Sequence, residues 1–139
     1  MAINPKLRRQ IAERDKYRCR YCLTTEENSG IKMHIDHIIP EAIGGKTTIE
    51  NLCLACFSCN VNKGAQHEAT DPATGEAIPF FHPLQQHWNE HFAWDATNTK
   101  IIGLTPCGRT TLEALQMNNQ TIVMARKRWV SAGWHPPDL

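Results

Sequence analysis

Residues 19–64 read CRYCLTTEENSGIKMHIDHIIPEAIGGKTTIENLCLACFSCNVNKG. A Cys-x-x-Cys pair stands near each end: Cys19 with Cys22, and Cys56 with Cys59. Such a pair turns the chain so that two thiolates aim at one point, and two pairs complete a tetrahedral zinc site. The 33 residues between the pairs exceed the roughly 15–20 of a zinc ribbon. The extra length suits an inserted β-hairpin. Cys53 and Cys107 are left over. Cys53 competes as a ligand, but its place in the expected second strand suits burial better. The plainer alternative is four buried cysteines with no metal.

The insert itself predicts the hairpin. Met33 to Pro40 is β-rich and ends at the proline, Gly44-Gly45 makes a turn, and Thr48 to Leu54 is the second strand. Cys56 to about Gln66 is helical. Alternation places Asp36 and His37 on opposite strand faces, so they serve one site only if the strand bends or the site wraps its end. Oxygen ligands such as Asp36 and Asn60 suit magnesium or manganese. A neutral imidazole such as His37 suits a general base near pH 7. Phosphodiester hydrolysis needs these parts: a base for water and a cation on the phosphate. Taken singly, each residue has a plainer role. An Asp-His pair fits an exposed strand end, and Asn51 and Asn60 fit turns or caps.

Outside this stretch the chain is less explicit. Its 139 residues, 41% hydrophobic and only 7% aromatic, fit a modest core that benefits from a staple. Asn4 and Pro5 start a short basic helix over 5–15. Residues 1–22 carry Lys6, Arg8, Arg9, Arg14, Lys16, Arg18 and Arg20 against Glu13 and Asp15, a local balance of +5 in a chain of net +1. That arm suits phosphate contact, or simply a solvated helix face. The turn Asp71-Pro72-Ala73-Thr74-Gly75 sets an expected boundary between a core over 1–70 and a second part over 71–139. The second part holds a strand at Lys100 to Leu104, a helix at Thr110 to Asn118 and another around Ile122 to Val130 that closes at Gly133. Trp88, Phe92, Trp94, Trp129 and Trp134 are expected to pack it onto the core. No secretory pattern and no run of about 20 apolar residues is present. The expectation is a cytoplasmic protein without a membrane partner, in which cysteines bind metal rather than form disulfides.

Taken in order, Cys-x-x-Cys, Asp-His-Ile-Ile-Pro, Gly-Gly, Asn-Leu and Cys-x-x-Cys-Asn-x-x-Lys-Gly closely resemble the HNH endonuclease family over about residues 15–67. Trp88 to Trp94, Ile101 to Arg109 and Arg126 to Pro137, with the end Gly133-Trp134-His135-Pro136-Pro137, resemble the C-terminal half of a bacterial subgroup. The resemblance implies an α+β fold: a ββα-metal (His-Me finger) nuclease core, two zinc knuckles, and a mixed, mainly helical C-terminal part. It implies His37 as general base and Asn51 as a brace for the loop that aims it. Asp36 and Asn60 would hold the catalytic cation, and Cys19, Cys22, Cys56 and Cys59 a structural Zn2+. The implied substrate is DNA, read as double-stranded, cut to 5′-phosphate and 3′-hydroxyl ends.

The chain departs from the family at one place. Asn60 stands where the last His of the motif belongs, and Gly64, one turn on, supplies no ligand either. That shifts the expected catalytic ion to Mg2+ or Mn2+, which accept waters and phosphate oxygens as remaining ligands. His34 is a further candidate ligand, or a plain exposed strand residue. Lys63 is a candidate for the phosphate next to the scissile one, or an ordinary solvated lysine. Arg126-Lys127-Arg128 reads as a solvated helix face, and His67, His82, His87, His91 and His135 as surface or packing residues. The rival reading is a non-catalytic zinc-knuckle module that binds nucleic acid through its basic arm. A protein-interaction module would explain the aromatic second half but not the motif.

Overall fold

Asn4 accepts a hydrogen bond from the Leu7 amide at 2.8 Å, and Pro5 opens the first helix, α1 (Pro5–Arg14). The computed structural model describes residues 3–139. Ile11 of α1 is buried against β2 (Leu52–Ala55), a strand covered on both faces. Asp15, just past α1, is also buried. It accepts from the Leu54 amide and pairs with Arg14 and Arg20. Much of the basic arm is therefore spent on the fold. Arg14 also donates to the Ile49 and Leu52 carbonyls, Arg8 to Met33, Arg20 to Pro83 and Arg18 to Asp138. Lys6, Arg9 and Lys16 are exposed, with no side-chain partner among the described residues.

A short helix, α2 (Glu26–Ser29), leads to β1 (His34–His37). β1 runs antiparallel to β2, with Asp36 opposite Cys53 and His37 opposite Leu52. The strand is shorter than the apolar run suggests. Beyond His37, Ile38 donates to the Asn51 carbonyl and Ile39 to the Asn51 side chain, so the ladder gives way to a loop. Residues 41–43 and 49–51 are single 3-10 turns, which delays the second strand to Leu52. Gly45 is required here: a Cβ on it would lie 1.7 Å from the Ile39 carbonyl oxygen. Cys56 then caps α3 (Phe57–Lys63).

Two more antiparallel ribbons follow, β3 (Glu68–Thr70) with β4 (Ala77–Pro79), and β5 (Phe92–Trp94) with β6 (Ile101–Gly103). The turn expected to separate two parts is the tip of the first ribbon. Asp71 caps it through Ala73 and Thr74 and reaches Arg109 on α5 (Pro106–Ala114) at 2.9 Å. α4 (Trp88–His91) precedes β5. α5 begins before the apolar pattern does, because Thr105 caps it and Pro106 opens it. α6 (Gln120–Ala132) ends at Gly133 in the left-handed region, φ 79°. One apolar core joins Ile11, Leu52 and Leu54 to Phe81, Trp88, Phe92, Leu115 and Met117. Two expectations fail. Trp134 is 63% exposed, while Arg126, read as part of a solvated face, is completely buried; Lys127 and Arg128 do face solvent. No helix of the described residues is long and apolar enough to cross a membrane.

Candidate metal centre and adjoining pocket

The two knuckles meet. The sulfurs of Cys19, Cys22, Cys56 and Cys59 lie within 4.8 Å of one another, with Cys22 Sγ 3.6 Å from Cys56 Sγ. Four sulfurs each about 2.3 Å from one tetrahedral ion would stand about 3.8 Å apart, so the thiols fit such an ion. The amide of Cys22 points at Cys19 Sγ and that of Cys59 at Cys56 Sγ, each at 3.4 Å. These N–H groups would offset charge on two of the four sulfurs when an ion is bound. Hydrogen bonds from Cys19, then Cys56 and Cys59, hold the Cys22 thiol well below its ordinary value. Among the described residues, no other group of three or more His, Cys, Asp or Glu is gathered closely enough to share an ion. Cys53 stays apart, buried opposite Asp36, and burial raises its thiol.

Next to the knuckles, β1, the loop after it and α3 enclose a cavity of about 290 Å³ lined by Asp36, His37, Glu41, Asn60 and Gly64, among others. Asp36 and His37 reach one cavity because His37 is the last residue of β1: the site wraps the strand end. The Asp36 carboxylate is 4% exposed. Lys63 Nζ lies 3.2 Å from both of its oxygens, and the Tyr21 hydroxyl donates to Oδ2 at 2.8 Å. Burial pushes this carboxyl above its usual range, against the pull of Lys63 and Tyr21. Four lone-pair positions surround a carboxylate; Lys63 and Tyr21 take three of them, which leaves one, on Oδ1, for a cation.

His37 Nε2 lies 2.9 Å from the Thr47 hydroxyl and 3.6 Å from Glu41 Oε1, and Thr47 donates to Glu41 Oε2 at 3.4 Å. Asn51 ties the loop together. Its Oδ1 accepts from the Ile39 amide, and its Nδ2 donates to the Ile39 and Lys46 carbonyls, all at 2.9 Å. Thr47 follows Lys46 directly, so the Asn51 clamp sets where the Thr47 hydroxyl meets His37.

Two candidates sit elsewhere than expected. Lys63 is 1% exposed and bonds the His37 carbonyl at 2.9 Å besides Asp36. It is an internal counter-charge, neither a solvated lysine nor a group presented to an external phosphate. Its aliphatic stem follows α3 inward, and the carboxylate supplies the charge that makes its burial tolerable. His34 is exposed, its ring 5.9 Å from Phe57, and does not line the cavity. Tyr21, Glu41 and Thr47 were not among the expected site residues. Glu41 was open to discovery, being the fourth residue after His37. Tyr21 lies inside a knuckle, where only the cysteines draw notice.

Neither curated proteins nor solved structures give a match to the chain. A comparison with family models does, over residues 19–66. This is the segment holding the four thiols and the Asp36–His37–Asn60 cavity: it matches the HNH endonuclease family, and its cysteine cluster fits a zinc-binding variant of that family.

Proposed function

We propose that the chain is a metal-dependent HNH endonuclease that hydrolyses DNA phosphodiesters, with β1, β2 and α3 as its ββα-metal core and a structural Zn2+ on the four cysteines. The observation that carries this reading is the convergence of Asp36, His37 and Asn60 on one cavity within the segment matched to the family. Asp36 Oδ1 and the Asn60 amide oxygen are the groups that would hold Mg2+ or Mn2+. Such an ion would offset charge growing on the phosphate and the leaving oxygen.

The protein's own residues do the rest. Thr47 gives its proton to Glu41, so its oxygen accepts from His37 Nε2–H. That fixes the tautomer and leaves the Nδ1 lone pair to take a proton from the attacking water. Glu41 is then placed to steady the imidazolium. Asn51 positions this relay, and Lys63 holds Asp36 and the His37 backbone in one frame. Exposed Lys6, Arg9 and Lys16 are available to DNA phosphates. The products are 5′-phosphate and 3′-hydroxyl ends. Plasmid incubated with the purified protein should be nicked or linearised with Mg2+ or Mn2+, and left intact with EDTA. Intact plasmid under all ion conditions overturns the assignment.

One observation favours a second reading. Asp36 already carries a buried cation, Lys63. A non-catalytic zinc module that binds nucleic acid needs nothing more. That module retards plasmid on a gel without cutting it.

A further inference from the structure

Arg126, in the middle of α6, is the largest fully buried side chain among the described residues. Its Nη1 donates to the Thr99 carbonyl and Asn118 Oδ1 at 3.0 Å each, and its Nη2 to the Met117 carbonyl at 2.7 Å. Its guanidinium carbon lies 5.2 Å from the centre of the Trp94 ring, and Nε has no partner. Every one of these neighbours is neutral, and no carboxylate among the described residues bonds it. A full positive charge kept from water with no counter-charge is strongly unfavourable. Three neutral acceptors and the Trp94 face offset part of that cost, and a negative charge close by would offset the rest.

The hydrogen bonds of Arg126 lead toward the thiols: its guanidinium holds Met117 and Asn118, and the next residue, Asn119, reaches Ser58 on α3, the helix that carries Cys59. Burial depresses the guanidinium, and the thiols act against that depression. α3 and the region after α5 are also tied directly. Asn62 donates to the Leu115 carbonyl at 3.1 Å and Asn119 to Ser58 at 3.4 Å, one residue from Cys59. His135 is buried with its Nε2 unpartnered, and its ring lies 4.4 Å from that of Trp94, the ring that faces Arg126. A zinc ion with four thiolates carries a net charge of about −2. A buried dianion and a buried, unpaired cation in one region each remove the other's electrostatic cost.

We propose that Arg126 is the counter-charge of the zinc–tetrathiolate centre, so that the C-terminal half of the chain completes a metal site whose ligands all lie in the N-terminal half. The proposal rests on reading the four-cysteine ion as zinc, and not on nuclease activity. Its test uses the full chain carrying Arg126→Lys or Arg126→Gln. Both variants give up the forked contacts to Thr99, Met117 and Asn118, but only the glutamine gives up the charge. Zinc affinity is measured by competition with a chromophoric chelator. Cobalt-substituted protein gives the thiolate-to-metal charge-transfer band. Arg126→Gln should bind zinc about 10–100-fold more weakly, the usual cost of losing an outer partner of a metal site, and its cobalt band should move to lower energy. Arg126→Lys should stay close to the unsubstituted protein in both. Zinc binding and folding are coupled, so the difference between the glutamine and lysine variants and the position of the cobalt band, not affinity loss alone, decide the role. Equal loss in the two variants, or no loss in either, overturns the role of Arg126. Unsubstituted protein that is folded and zinc-free overturns the reading of the ion itself.

Discussion

His37 and Asp36 are neighbours in sequence, yet the proposed reaction gives them different tasks. His37 lies at Nε2 against Thr47 and Glu41, which suits a proton acceptor. Asp36 lies between Lys63 and Tyr21 with one lone pair free on Oδ1, which suits a cation ligand. His37→Ala should cost on the order of 10²–10⁴-fold in cleavage rate, the range for a positioned acid or base, with DNA affinity nearly unchanged. Asp36→Ala should also abolish cutting, but raised Mn2+ should restore part of it, and should not restore His37→Ala. Cleavage rates of both variants across a Mn2+ titration, with zinc content as the folding control, make the comparison. Equal rescue would make His37 a ligand.

The loop between β1 and β2 shows how an element can matter more than the side chains it displays. Its Gly-Gly step lets residues 39 and 45 approach, and Asn51 then clamps Ile39 and Lys46. Gly45→Ala puts a methyl where the Ile39 carbonyl stands. The loop must shift, and a displacement of about 1 Å at a reacting group costs on the order of 10²-fold. Cleavage should fall by that much while zinc content holds; unchanged cleavage would remove the loop from the account. The β3–β4 ribbon carries a pH dependence. The hydrogen bond from Arg109, and then that from the Ala73 amide, hold the Asp71 carboxyl below its ordinary value. A lowered carboxyl adds stability above its unfolded value of about 3.9, and that stability is lost as the pH falls through the folded value. Melting temperature should therefore drop more steeply below about pH 4 in the natural protein than in Asp71→Asn. Parallel curves would exclude the pair. Helices α1, α3, α5 and α6, the knuckles and the Asp-His strand end were legible in the sequence because each rests on local signals: caps, apolar periodicity, doubled cysteines, an apolar run closed by proline; the one-turn helices α2 and α4 carry no such pattern. Lys63 and Arg126 were misread for a common reason. A lone cation in sequence looks solvated, and its burial depends on a counter-charge supplied from 27 residues away for Lys63 and, for Arg126, from the other half of the chain.

Across the whole molecule, the knuckles are where distant parts meet. Trp88 donates to the Tyr21 carbonyl at 2.8 Å, and Tyr21, which stands between Cys19 and Cys22 in the first knuckle, donates to Asp36. Stripping the ion with a strong chelator should therefore disorder more than the HNH segment. Tryptophan fluorescence and far-ultraviolet circular dichroism should change together and return together when Zn2+ is restored under reducing conditions. A fluorescence change without loss of helix would mean that the C-terminal half stands alone. A reductant is needed because two of the thiols stand close together. Cys22 Sγ and Cys56 Sγ are 3.6 Å apart, and hydrogen bonds from Cys19, then Cys56 and Cys59, lower the Cys22 thiol. With the ion in place, both sulfurs are engaged and shielded. Without it, an ionised Cys22 beside a second thiol is poised for oxidation by peroxide or air. The bridge so formed takes away two of the four ligands. A brief loss of metal would then be remembered by the protein as a covalent bond, and only a thiol reductant, not more zinc, would erase it.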